Sequence, residues 1–287
     1  MTAHALTIRA NHFLIQGGTL SAGQKSNLAR QLLAARSTPE DARRFKQGVN
    51  APEYLRAQRQ SDDTRVMYPL FYVPPYNGGK KLQTVIPMSP QTHILSANSY
   101  ELEILRLLCL LAPEEESVRD MTARTVSRLR TTCFAAQGCH HGECFHAALI
   151  ALRFLITAAP EDEAWLRQLV AFWNRYNGET RRHSGTVWYY WLCLSELPLR
   201  IAAPELIRLA DELAARLQKS YVMKSENDKT HNPVLLCVLR NCLSRLPMYE
   251  HIKNRQPFIS EKDGRLHFDW SDAQGGGALR TNPVNPS

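Results

Sequence analysis

Residues Cys133 to Ile156 read CFAAQGCHHGECFHAALIALRFLI, a polar turn dense in cysteine and histidine that empties into an apolar helix. Two later stretches repeat that grammar: His183 to Pro198 (HSGTVWYYWLCLSELP) and His231 to Pro247 (HNPVLLCVLRNCLSRLP). Upstream, Tyr100 to Ala112 (YELEILRLLCLLA) is apolar on a wide face and stops at Pro113. A helix that is apolar around most of its surface is a buried one, whereas a helix with a single apolar stripe covers it. The segments between the apolar helices are of the second kind: EEESVRDMTARTVSRLRTT, then Asp162 to Tyr176, then Pro204 to Tyr221.

The closing prolines fall at 113, 160, 198 and 247, at spacings of 47, 38 and 49 residues. That interval suits two-helix units. The pattern therefore predicts a mainly α protein of repeated helical hairpins over residues 100–250, forming either an α/α toroid or a short superhelix. In both, the inner helices run the same way, so the turns before Tyr100, Glu143, Ser184 and Pro233 collect at one rim. Helix N-termini there offer unsatisfied N–H donors and partial positive charge.

The rest of the chain falls into flanking parts. Residues 1–65 carry ten Lys/Arg against five Asp/Glu and form a basic helical arm. Thr7 to Gln16 reads as a short strand or a helical turn, followed by a helix capped near Ser21 and another starting at Pro39. The run Gly23-Gln24-Lys25-Ser26 misses the phosphate-loop motif, which needs glycine and lysine adjacent. Residues 66–99 alternate with period two around Asn77-Gly78 and predict a small β-hairpin insertion, with Ser89 to Ser99 as linker. Residues 251–270, turning at Asp263-Gly264, predict a hairpin cap, and residues 271–287 a disordered tail.

The formal charge of +8 and pI near 9.2 suit an acidic macromolecule or peptide as partner. Nucleic acid is not favoured, because no recognition signature accompanies the charge. No apolar run is long enough to span a membrane and the amino terminus lacks a signal-peptide pattern, which predicts a cytoplasmic protein or one exported without a cleaved signal. Of seven cysteines, Cys109, Cys193, Cys237 and Cys242 lie inside apolar helical patterns, while Cys133, Cys139 and Cys144 lie in or beside the polar turn.

The rim candidates are Tyr100, His140, His141, Glu143, Cys144, His146, His183, Ser184 and His231. Cys144, His183 and His231 come one from each repeat, 39 and 48 residues apart, and are expected within about one helix-packing distance of one another. They could hold zinc with water as fourth ligand. Alternatively Cys144 is a nucleophile with His183 or His231 as base and Asp228 or Asn232 orienting it. Substrate contacts are expected from Tyr100, from Trp188 in the run Trp188-Tyr189-Tyr190-Trp191, and from Arg182, which could hold a phosphate or carboxylate.

Inner helices that open with Cys or His, as in GECFHAALIALRFL and HSGTVWYYWLCLSEL, make residues 100–247 resemble the α/α toroids of protein prenyltransferase β-subunits and lanthionine cyclases. That resemblance implies a rim zinc held by Cys, His and, as in the prenyltransferases, an acid (Asp there). Cys139-His140-His141-Gly142 is one residue longer than the cyclases' Cys-His-Gly, and Glu143-Cys144 lacks the prenyltransferases' spacer between acid and thiolate. Two functions follow as expectations: a zinc- or thiol-dependent transferase or hydrolase with a Cys/His rim site, or a non-catalytic helical-repeat scaffold that binds a macromolecular partner.

Overall fold

The computed structural model describes residues 1–47, 69–75, 82–86, 88, 90, 93–136, 138–139, 143–180, 184–219 and 221–271. Its helices are α1 (Ala3–Ile15), α2 (Ala22–Ala34), α3 (Pro39–Gln47), α4 (His93–Leu111), α5 (Glu116–Leu129), α6 (Cys144–Ala158), α7 (Glu163–Thr180), α8 (Ser184–Glu196), α9 (Leu199–Gln218) and α10 (Asp228–Leu243). A 3-10 turn (Pro247–Ile252) precedes a hairpin of β2 (Gln256–Lys262) and β3 (Arg265–Ser271), to which β1 (Tyr221–Val222) adds a third strand in the order β1-β3-β2. All pairings are antiparallel. The protein is thus mainly helical with one small antiparallel sheet. No described helix is long and apolar enough to cross a membrane.

The apolar helices form the interior. Every α4 residue from Leu95 to Leu108 is buried, as is every α6 residue from Phe145 to Ile156. α4 packs on α6, α6 on α8 and α8 on α10, while α1 touches both α4 and α10. Hydrogen-bonded pairs ascend together along these helices. His146 of α6 meets Thr186 of α8 near their N-termini, and Arg153 meets Glu196 near their C-termini. Cys242 of α10 donates to the Trp191 carbonyl, and Arg245 just beyond α10 donates to those of Leu194 and Leu197. α6, α8 and α10 therefore point the same way.

The sequence rules for helix ends operate as expected. Ser21 and Gln24 form a capping box on α2, with Ser21 Oγ accepting from the Gln24 N–H and Gln24 Oε1 from the Ser21 N–H. Thr38 and Asp41 do the same for α3. The first segment of the arm is a full helix rather than a strand or a single turn, capped by Thr2. α9 and α10 begin five residues before the expected Pro204 and Pro233, which lie inside them. A proline there frees the carbonyl four residues back, and Arg167 of α7 donates to the carbonyl of Arg200 at 3.2 Å.

The insertion departs most from expectation. The described parts of residues 66–99, namely 69–75, 82–86, 88, 90 and 93–99, contain no strand, and the last of them is helix, since α4 starts at His93 inside the expected linker. The hairpin tip, residues 76–81, lies outside the described residues, as do 48–65 and the tail 272–287. The reason for the missing ladder is a buried acid. Glu101 Oε2 accepts the N–H groups of Leu70, Phe71 and Tyr72 at 2.7, 2.7 and 3.1 Å. Glu103 Oε1 likewise accepts that of Val85 at 3.0 Å. Carboxylates of α4 thus take the donors that a partner strand would have taken.

At the far end the Asp263-Gly264 turn is present. Both residues have positive φ, 53° and 68°, as a tight two-residue hairpin requires. β2 packs on α10, with Phe268 of β3 buried beneath the sheet.

Candidate metal centre

The polar turn that opened the sequence places three thiols together. α5 ends at Leu129, and Cys133 sits in the turn after it; Gly138 then reverses the chain at φ 65°, and Cys139 donates its N–H to the Cys133 carbonyl at 2.9 Å. Cys144 is the first residue of α6. The Sγ atoms of Cys133, Cys139 and Cys144 all lie within 4.8 Å of one another, and those of Cys133 and Cys144 are 3.7 Å apart. All three residues are half-buried.

The turn is fixed from outside by α7. Trp165 Nε1 donates to the Ala135 carbonyl at 2.8 Å and Gln168 Nε2 to that of Ala136 at 3.4 Å. The Phe172 ring lies against Gly138, so close that a Cβ there would stand 3.1 Å from a ring carbon. Arg130 stacks over Trp165 and pairs with Asp162 at 2.7 Å, which ties the end of α5 to the same helix. Phe145 stacks on Trp173 with ring centroids 4.6 Å apart, anchoring the first turn of α6.

The Cys133 and Cys144 thiols are shifted in opposite directions. The hydrogen bond between them pulls the Cys133 thiol down to about 6, helped by Cys139 and by the N–H groups of Cys133 and Phe134 and opposed by burial. Cys144 is driven up by that same bond and by burial. The positive end of the α6 dipole, which no side chain caps, favours negative charge at this spot. By contrast Cys193, Cys237 and Cys242 are buried, and desolvation pushes their thiols up.

The donor set and spacing suit a tetrahedral thiolate metal. With zinc–sulfur bonds of about 2.3 Å, two sulfurs of a tetrahedron stand about 3.8 Å apart. Cys133 and Cys144 already keep that separation, to within a tenth of an ångström or so.

No family profile, curated protein or solved structure matches this chain.

The other expected site residues lie as follows. His231, in the first turn of α10, presents its ring edge to His12 of α1 at 6.2 Å between centroids, and is not in the thiol cluster. His12 is buried with Nε2 on the Val85 carbonyl at 2.8 Å. Desolvation lowers its pKa. His183 and Arg182, with His140 and His141, lie outside the described residues. His146 is buried with Nδ1 2.6 Å from Thr186 Oγ1. Asp228 accepts the N–H groups of Lys224 and Ser225, which hold its carboxyl below the usual range, together with a hydrogen bond from Asn232. Tyr100 is buried near the His4 ring, and burial raises its phenol pKa.

The aromatic run of α8 faces three ways. Trp188 stacks edge-on with Trp191 at 4.8 Å, and Arg216 of α9 lies over both rings. Tyr189 donates to Glu103 of α4 at 2.9 Å, and Tyr190 to Asn174 of α7 and Glu205 of α9 at 3.2 and 3.3 Å. Cys133 and Cys139 are the site members that the one-ligand-per-repeat reading passed over. The signal was present as three cysteines within twelve residues, Cys-x5-Cys-x4-Cys.

Proposed function

We propose that the protein is an enzyme of α/α-toroid type, a transferase or hydrolase whose zinc ion is held by Cys133, Cys139 and Cys144. The observation that carries this reading is the thiol triangle with its 3.7 Å edge between Cys133 and Cys144. Parallel α6, α8 and α10, with α1 lying between α4 and α10, support the toroidal part of it. Bound zinc would supply a Lewis acid with one coordination position left for a substrate atom or water. The chain's share is to deprotonate and hold the thiols. The start of α6 favours the negative charge, α7 clamps the turn, and the Phe145 and Phe172 rings pack beside it.

A second reading rests on the same clamp. Trp165 and Gln168 fix the α5–α6 turn through its carbonyls, so a metal there could serve as a structural pin in a non-catalytic helical scaffold for an acidic partner.

Elemental analysis of protein purified without added metal tests the first step. Near-stoichiometric zinc, lost in Cys133→Ser and Cys144→Ser but kept in Cys109→Ser, is the expected result. Absence of zinc from the wild type under reducing conditions sinks the metal centre. Cobalt-substituted protein then separates the two readings. An open position gives a visible spectrum that shifts on adding imidazole or a small thiol, whereas a closed structural site gives one that does not move.

A further inference from the structure

The thiols proposed as zinc ligands are also placed to react with one another. A disulfide needs its sulfurs at about 2.05 Å. Cys133 and Cys144 stand 3.7 Å apart, so a movement of less than 2 Å on the order of one side-chain rotation joins them. Cys144 is fixed by α6, while Cys133 lies in an irregular turn, so the approach can be made by one side. Both are partly open to solvent, unlike Cys193, Cys237 and Cys242. Cys193 and Cys242 also have their thiols hydrogen-bonded to the carbonyls of Leu149 and Trp191 inside the core. Cys109 is half-buried too, with its thiol on Thr122 Oγ1 at 3.2 Å, but the partly open thiols that stand within 4.8 Å of one another, and so can be oxidised as a pair, are those of this cluster.

We infer that a hydroperoxide oxidises Cys133 and Cys144 to a disulfide and so releases the metal, making the centre a reversible redox switch. The regulation rests on the zinc reading above, although the disulfide itself does not. The Cys133 thiolate attacks the peroxide's outer oxygen, the O–O bond breaks, and the alkoxide or hydroxide departs and takes a proton from water. Cys133 is then a sulfenic acid. The Cys144 thiolate attacks its sulfur, the S–O bond breaks, and the departing hydroxide is protonated to water. In sum two thiolates, one hydroperoxide and two protons give one disulfide, one alcohol (water, for hydrogen peroxide) and one water. Cys139 remains a thiol, and a single ligand does not retain zinc against water. A small dithiol reverses the step by exchange.

The test uses the full chain as purified, with hydrogen peroxide as oxidant. Zinc release is followed with a chromogenic chelator and thiols are blocked with iodoacetamide. Trypsin together with a glutamate-specific protease separates residues 131–143 from 144–153, because cleavage follows Arg130, Glu143 and Arg153. The expected product is those two peptides joined, the link persisting in Cys139→Ser and absent in Cys133→Ser, with one equivalent of zinc released in step and recovered after dithiothreitol. If the joined peptide fails to form while the thiols are consumed, or if the link survives Cys133→Ser and is lost in Cys139→Ser, the inference is overturned. Protein without zinc that still forms the Cys133–Cys144 link upholds the pair and sinks the metal reading alone. Zinc that stays bound after the link has formed overturns the switch.

Discussion

Arg153 of α6 donates from Nε and Nη2 to the two carboxylate oxygens of Glu196 of α8, at 2.9 Å each. Arg106 of α4 reaches the same carboxylate at 2.9 Å, and both guanidinium groups also donate to Asn11 Oδ1 of α1. One acid thus sits among three helices and the arm, facing two cations of which Arg153 is almost wholly enclosed. Removing one partner of a buried pair costs more than the pair is worth, because the remaining charge is left uncompensated. Glu196→Ala should therefore lower unfolding stability by about 3 kcal/mol, read as a urea midpoint shift. A change within about 0.5 kcal/mol, the level of an ordinary surface substitution, would show that Glu196 is not what holds the cations.

A second prediction concerns the insertion. Glu101 Oε2 is the acceptor for three successive backbone N–H groups, and it is buried beside the Arg128 guanidinium at 3.5 Å. Glu101→Ala leaves the Phe71 and Tyr72 donors buried without that acceptor, at on the order of 3 kcal/mol in total. Hydrogen exchange should speed up at Leu70, Phe71 and Tyr72 well before it changes in α6. Glu101→Gln, which keeps an acceptor oxygen, should lie between the variant and the wild type. Unchanged protection of those three amides in Glu101→Ala would mean that other acceptors hold the segment.

These two acids also explain which parts of the fold could be read from the sequence. The apolar helices and their caps follow local rules, and Ser21, Thr38 and Gly264 act within three or four residues of themselves. The described residues of 66–88 do bury apolar side chains, but as the adjacent pairs Phe71-Tyr72 and Val85-Ile86 and not in alternation. No strand forms among them, because their donors are taken by carboxylates about 20 to 30 residues away that no local window contains. The same limit applies at the site. Cys144 stood out at a helix start, but the repeat logic sought partners one hairpin away, whereas Cys133 and Cys139 come from the preceding turn. His231's neighbour His12 belongs to the amino-terminal arm, whose docking onto α10 leaves no periodic trace.

Glu103 gives a pH signature. Burial pushes its carboxyl up to about 7 from the usual 4.5, against the opposing effects of the Val85 N–H, Arg153, Tyr189 and Arg106. A carboxyl whose pKa is raised in the folded state contributes stability that is complete below the unfolded value and fades as pH rises through the folded one. Relative to Glu103→Gln, the wild type should be at its best below pH 4.5 and lose ground up to about pH 7, by on the order of 3 kcal/mol. The facing Arg153, Arg106 and Tyr189 do not titrate in that window, and the nearby His12 is common to both proteins. Denaturant midpoints of the two proteins measured across pH 4 to 8 check this. Parallel curves would show that folding leaves the Glu103 pKa where it is in the unfolded chain.

Gly138 sets where Cys139 stands. Its φ of 65° lies in the left-handed region, and a side chain there meets Phe172 at 3.1 Å, so alanine is opposed twice, by backbone strain and by the ring. The strain alone is worth about 1–2 kcal/mol. If Gly138→Ala relieves it by moving Cys139 out of the thiol triangle, zinc affinity should fall about 5- to 30-fold in a competition titration against a chelator. Gly264 is the matched control, since its φ of 68° imposes the same strain but its Cβ would meet nothing within 4 Å. Gly264→Ala should cost similar stability and leave zinc affinity unchanged. Adding Phe172→Ala to Gly138→Ala removes the ring without changing φ, so it should recover only part of the affinity. Equal zinc affinities in Gly138→Ala and Gly264→Ala would mean that Cys139 does not contribute to holding the metal, leaving Cys133 and Cys144 as a pair.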